Sequence, residues 1–533
     1  MNADLIVCAD TVHTLAGGGR PAQAVAIRDG VIVALGARDD VREWRGSRTE
    51  VLDLGAATVT PGLIDGHMHP VMGLQLASDV DLSGARSLED VHKLLADASA
   101  GRDAETWVQA WGLDPNVFGG APVTSAPITA AVAGRPAFVR MFDAHSALAT
   151  PAALQIAGVD GPRQFAQRAS VVCDDDGYPT GLLLEAEAMD LILEQIPQAP
   201  VRERATRLRA LLAEMAATGL TGGHVMDMLG DSEAVVSAAE DLGDLPLRLR
   251  FAPWCMPGVD ADGLGELTAM QGRRGRRWHI GAVKFFMDGT IDNGTAWLEH
   301  PDTMGESTDS FWPDPVDYTR AVRALAAAGV PTATHAIGDA AVRHVLDALD
   351  GLDVSSSTRH RVEHIETLPT ALIGRFLHQG VIASMQPSHC HYTRADHTDN
   401  WSIRLGDERA DRAFRCRDLR DAGVPVVLGS DWPVAPFDAR RILATAQLRR
   451  PAGEPDVAPV QPHQGLTARM ALEGYTTLAA AAAGETGGIR VGAPADLTVF
   501  TVDPLRANPD ELADAPIVMT VVGGDVAHRM MVQ

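Results

Sequence analysis

The sequence predicts an α/β fold, a (β/α)8 TIM-like barrel with a small β-sandwich formed by both termini and a large insertion over the barrel mouth. Three observations carry this reading. Both chain ends hold short β-branched runs, whereas the middle alternates apolar strand candidates with helical stretches. Several central strand candidates close, or nearly close, on a histidine, lysine or aspartate, where a barrel of this kind places its active site. The stretch from His69 to Lys284 is about twice as long as three βα units require, so an insertion lies somewhere within 75–275.

In chain order, residues 5–9, 24–27 and 30–36 read as strands, with Arg28-Asp29-Gly30 as a hairpin turn. At the other end, residues 489–492, 495–500 and 518–524 read the same way. The predicted composite domain is 1–59 plus 485–533, and 60–484 form the central unit. Within it, strands are expected at 136–141, 247–251, 280–286, 331–335, 360–364, 381–385 and 424–431. Helices are expected between them at 318–328, 340–349 and 413–421. The Ala-rich stretch 477–484 is too short for a membrane span and reads as a helix of a soluble protein.

The chain has 533 residues, 46% of them hydrophobic, which is ample for a large core. A net charge of −25 argues against nucleic acid and anionic membranes as partners. The first fifteen residues contain Asp4 and Asp10 and no basic segment, which is unlike a signal peptide. Five scattered cysteines read as reduced thiols, so a cytoplasmic location is expected.

The chemistry centres on 60–70, where a β-branched run ends in His67 and His69. In a strand, residues two apart face the same side, so these imidazoles can grip one metal ion. Lys284, His335, His364 and Asp431 follow at the ends of later strand candidates. Each has an ordinary structural explanation when taken alone. His364 beside Arg361 and Glu363 could lie on a salt-linked surface strand, and Asp431 could cap a turn. Six such residues at successive strand ends are hard to obtain as independent accidents.

The segments Pro61-Gly62-Leu63-Ile64-Asp65-Gly66-His67-Met68-His69, Val283-Lys284-Phe285-Phe286-Met287-Asp288-Gly289 and Thr334-His335-Ala336-Ile337-Gly338-Asp339 resemble the amidohydrolase superfamily. So do Arg361-Val362-Glu363-His364, Leu428-Gly429-Ser430-Asp431-Trp432-Pro433 and the tail 488–497. The likeness is to amidohydrolase family 3, the branch that includes N-substituted formamide deformylases. It implies two divalent ions, zinc first and manganese, iron or cobalt as alternatives. His67, His69 and Asp431 would hold one ion, and His335 and His364 the other. Lys284, carbamylated by carbon dioxide, would bridge them. A bridging hydroxide would attack a non-peptide C–N bond, with Asp431 as general base and acid.

The resemblance also suggests His145 and Glu185 as substrate contacts, alongside Trp111 in the insertion. Gln386 follows a strand candidate and suits either substrate donation or a turn. Ser388-His389-Cys390-His391 offers two more histidines and could be read as an extra metal site, but pocket lining or a loop is preferred, since the six-ligand set is complete without it. Asp288, Asp292 and Asp339 suit orienting or capping roles. The expected partners are a small-molecule substrate and further copies of the chain, as a homodimer or higher homo-oligomer. The alternatives are a mononuclear heterocycle deaminase, a hydrolase of esters, lactones or carbamates, and a scaffold without activity.

Overall fold

The structure is a computed structural model that describes residues 2–17, 22–76, 80–165, 168–352 and 359–530. Both chain ends enter one eight-stranded sheet. From the first end come Leu5–Val12, Ala22–Arg28, Val31–Gly36, Glu50–Asp53 and Thr58–Pro61. From the second come Leu497–Phe500, Ile517–Val522 and Asp525–Arg529. Antiparallel pairing of Thr58–Pro61 with Leu497–Phe500 joins the two ends. Inward residues of both, including Val7, Val25, Val59, Leu497, Val499 and Met519, share one apolar core. The hairpin turn falls at Asp29 and Gly30, with φ of 49° and 75°, as a two-residue loop of matched twist requires.

One expected strand is absent. Residues 489–492 bond irregularly to the first-end strands, from Ile489 N to Thr14 O and from Gly492 N to Ile32 O. The flanking Gly488 and Gly492 sit at φ of 94° and 89°, which breaks the extended run.

The central strands are β1 (Leu63–Met68), β2 (Leu220–Val225), β3 (Arg248–Phe251), β4 (Val283–Phe286), β5 (Thr332–Ala336), β6 (Arg361–His364), β7 (Ile382–Met385) and β8 (Val426–Leu428). The pairs β1–β2 and β2–β3 are parallel, as are the successive pairs from β4 to β8. The short piece Trp278–Ile280 just before β4 pairs parallel with β3. The two sheets adjoin at both edges. Trp254 bridges Lys284 beyond β3, and Met68 bridges Trp432 beyond β8. Helices follow the strands, as where Asp339–Leu349 buries Val342, Val345, Leu346 and Leu349 along one face.

The run at 136–141, expected among the central strands, belongs elsewhere. It forms Ala137–Met141 of a separate six-stranded sheet spanning Val80 to Leu184, inserted between β1 and β2. Strand β2 itself is not evident from the sequence, because Gly222 and Gly223 read as a turn. Both pack closely: a Cβ on Gly222 would lie 3.1 Å from Arg248 O, and one on Gly223 1.9 Å from the flexible end of Met68. Among the described residues no helix is long and apolar enough to cross a membrane.

Asp65 ties β1 to β8. Its buried carboxylate accepts from His67 N and Ser430 N, each at 3.0 Å. Removing it strands two buried N–H groups. Asp65→Ala should therefore destabilise the protein by about 3 kcal/mol, read as a lower denaturant midpoint.

Candidate metal centre

The ends of β1, β4, β5, β6 and β8 bring His67, His69, Lys284, His335, His364 and Asp431 into one buried cluster. All six are between 0 and 7% exposed. Strand alternation explains His67 and His69, whose rings lie 5.3 Å apart. His364 needs more than alternation. A φ of 75° at His364 and 52° at Ile365 turns the chain at the end of β6. Its ring then sits 4.8 Å from that of His67 and 4.5 Å from that of His335. Asp431 is likewise left-handed, at φ of 59°, and its N–H bonds to His67 O at 2.7 Å. Non-glycine residues in this region are sparse, and they concentrate at functional sites.

Each imidazole has one nitrogen fixed by a donor bond, which leaves a lone pair on the other. His67 Nδ1 donates to Glu363 Oε2, and His69 Nδ1 to Asp227 Oδ2, both at 2.8 Å. His364 Nδ1 donates to Gln386 Oε1, and His335 Nε2 to Gly289 O, both at 3.0 Å. The freed Nε2 atoms of His67 and His69 lie 3.4 and 3.3 Å from Asp431 Oδ1. Two ligands on a tetrahedral zinc, with bonds of about 2.0–2.1 Å, stand roughly 3.4 Å apart. The spacing is that of donors sharing a cation, and it is too long for good hydrogen bonds. The donor set therefore fits a divalent ion.

Electrostatics point the same way. Burial, helped by the Lys284 charge, pushes His67 down to about 4, and burial also holds His335 and His364 well below the usual imidazole range. These rings are neutral, as ligands must be. Burial opposes charge on His69 too, yet its hydrogen bond to Asp227 and the nearby Asp431 carboxylate lift it to about 9, so this ring must give up a proton to bind a cation. Burial alone would raise Asp431, but the imidazoles of His67, His69 and His389 around it hold its carboxyl well below the usual range. Lys284 Nζ lies 3.4 Å from His67 Nε2, and burial lowers it to about 8. Among the described residues no carboxylate lies within ion-pair distance of it. A buried ammonium in this position is costly, whereas an anionic carbamate beside a cation is not.

Behind the ligands runs a second layer, for which a salt-linked surface strand was the alternative reading of the sequence. Arg361 and Glu363 are 1 and 0% exposed. Their salt link is real, but it faces inward: Arg361 Nε donates to Glu363 Oε1 at 2.7 Å, and the other carboxylate oxygen holds His67. The i, i+2 spacing of Arg361 and Glu363 on a strand was the available signal. Asp227 had none, since it follows the unrecognised β2. Glu363→Gln should weaken metal binding about 10–100-fold without unfolding the protein, measured by zinc titration of the metal-free form.

Of the remaining candidates, His145 and Glu185 are brought together and face the cluster. His145 Nδ1 donates to Glu185 Oε2 at 2.8 Å, and its ring is 4.9 Å from that of His335. Gln386 orients His364 and has a buried Nε2 without a partner. Asp288 accepts from Ile337 N and Gly338 N and lies 3.7 Å from His335 Nε2. Asp339 accepts from Glu299 N, and Asp292 from Asn400. Trp111 lies in the inserted sheet opposite Asp81, with no hydrogen bond or ring contact to the cluster among the described residues. His389 does reach the cluster, 3.6 Å from Asp431 Oδ2.

Comparison with known proteins sets this site in context. The profile described as "Amidohydrolase family" matches residues 50–528. YtcJ of Bacillus subtilis is 28% identical over 97% of this chain and 98% of its own. The N-substituted formamide deformylase of Arthrobacter pascens is 26% identical over 99% of this chain and 98% of its own. The crystal structure of an uncharacterized metal-dependent hydrolase from Pyrococcus horikoshii superposes with a TM-score of 0.73 at 21% identity, covering 95% of this chain and 99% of that one, and so shares its fold.

Proposed function

Given that the chain belongs to the amidohydrolase family, we propose that it is a metal-dependent hydrolase of a non-peptide C–N bond in a small amide, of the formamide type. The observation that carries this is the convergence of four imidazoles, His67, His69, His335 and His364, with Lys284 and Asp431 in one buried cluster. The relative acting on N-substituted formamides supports the substrate class. We read the adjoining parallel sheets as a closed (β/α)8 barrel over 60–484. The sheet of both ends is read as a sandwich domain over 1–59 and 485–533.

In this reading His67, His69 and Asp431 hold one divalent ion, zinc first, and His335 and His364 a second. Lys284 joins them after its neutral amine adds to carbon dioxide, forming an N–C bond and releasing a proton. When bound, such ions polarise a carbonyl and make water nucleophilic near neutral pH. The residues of the chain do the rest. Asp431 takes the proton that water gives up as its oxygen bonds to the carbonyl carbon. It returns that proton to the nitrogen as the C–N bond breaks, releasing an acid and an amine. His145, held by Glu185, and the free amide of Gln386 are placed to donate to the substrate.

The test is a screen of N-formyl amines, aryl amides and cyclic ureas in the presence of zinc or manganese. Stoichiometric formate and amine from an N-formyl amine is the expected result. Ammonia release from a heterocycle by protein holding a single ion would favour the deaminase reading instead.

A further inference from the structure

After β7 the chain makes a short 3-10 helix, Pro387–Tyr392, that carries the Ser388-His389-Cys390-His391 motif. The helix separates its two histidines. His391 Nε2 faces Thr445 Oγ1 at 3.3 Å, away from the cluster. His389 points inward, 8% exposed, with Nδ1 3.6 Å from Glu366 Oε1. Its Nε2 is buried and has no hydrogen-bond partner. A satisfied core histidine would not leave that nitrogen unpaired.

The nitrogen is aimed at Asp431. Its distance to Oδ2 is 3.6 Å, close to the separation of two ligands on one cation and too long for a good hydrogen bond. Oδ1 of the same carboxylate faces the free Nε2 atoms of His67 and His69 at 3.4 and 3.3 Å, and Oδ2 faces the free Nε2 of His389 at 3.6 Å, with the ring of His364 beside it, its Gln386-bound Nδ1 3.8 Å away. The His364 and His389 rings are nearly parallel, tilted by 10°. One ligand atom from each of His364, His389 and Asp431 lies within 4.8 Å of the others, as holds for His67, His69 and Asp431.

We infer that His389 is a ligand of the second divalent ion, which it holds with His364 across Oδ2 of Asp431. This rests on the two-ion reading of the site given above. It extends the ligand set to the 3-10 helix after β7, whose histidines the sequence reading weighed as an extra metal site and set aside for pocket lining or a loop.

Equilibrium dialysis of metal-free protein against graded zinc, with elemental analysis of the retained metal, tests it. Wild type should take up two zinc ions per chain. His389→Ala should keep the tight ion and lose the second, or bind it at least about 100-fold more weakly. His391→Ala, whose ring faces away, should keep both. His389→Gln replaces the alanine variant if that fails to fold, as judged by circular dichroism. Two ions bound with unchanged affinity by the folded His389 variant would overturn the inference while leaving the two-ion site standing. Wild type holding fewer than two would defeat the two-ion reading itself, and the inference with it.

Discussion

Asp431→Asn should lower kcat by about 10^3-fold or more while leaving the folded protein intact. The two parts of this expectation have separate grounds. Asparagine keeps the shape of aspartate and tolerates the left-handed backbone that residue 431 adopts, at φ of 59°. The backbone bond from residue 431 N to His67 O and the grip of Asp65 on Ser430 N do not involve the lost charge. The chemistry does involve it. An amide cannot take a proton from water and hand it to a leaving nitrogen. It also offers a weaker oxygen to the two histidine pairs that flank the carboxylate. Turnover close to wild type, in protein with an unchanged melting temperature, would remove Asp431 as the proton carrier.

The second large effect is at Lys284. Lys284→Met keeps the apolar stem and deletes the amine. In the metal-free protein the lysine is a buried cation without a carboxylate partner among the described residues, so its removal should leave stability unchanged or improve it. Metal retention and kcat should move the other way. Turnover should fall about 100-fold or more, with fewer ions bound per chain, because the shared anionic ligand is gone. A lysine retained only for packing or for an ion pair would show the opposite pattern, with stability lost and metal content unchanged. Parallel measurement of melting temperature, bound metal and rate separates the two.

How much of this was legible in the sequence depends on the physics behind each residue. The six cluster residues stood out because a strand end is a simple geometry: an apolar run followed by one polar residue marks the position. The joining of the two ends was legible from β-branched runs, though 489–492 was misread because Gly488 and Gly492 interrupt it. Strand β2 was hidden because it contains Gly222 and Gly223, packed closely against Arg248 and Met68, and glycines otherwise signal turns. With β2 went Asp227, the partner of His69. His389 was visible as one of two histidines that could be read as an extra metal site, a reading set aside for pocket lining or a loop. It lies on a short 3-10 helix, where strand alternation does not apply, and only the fold shows which of the two neighbouring histidines faces Asp431. The insertion could be inferred from length alone, but its six-stranded sheet depends on pairings between segments far apart in the chain.

The central claim is that these strand ends hold divalent cations. Anomalous diffraction at the zinc edge, from crystals grown with zinc, tests it most directly. The account predicts a strong anomalous peak among His67, His69 and Asp431, with a second beside His364. Crystals with zinc bound elsewhere and no peak within this cluster would contradict it.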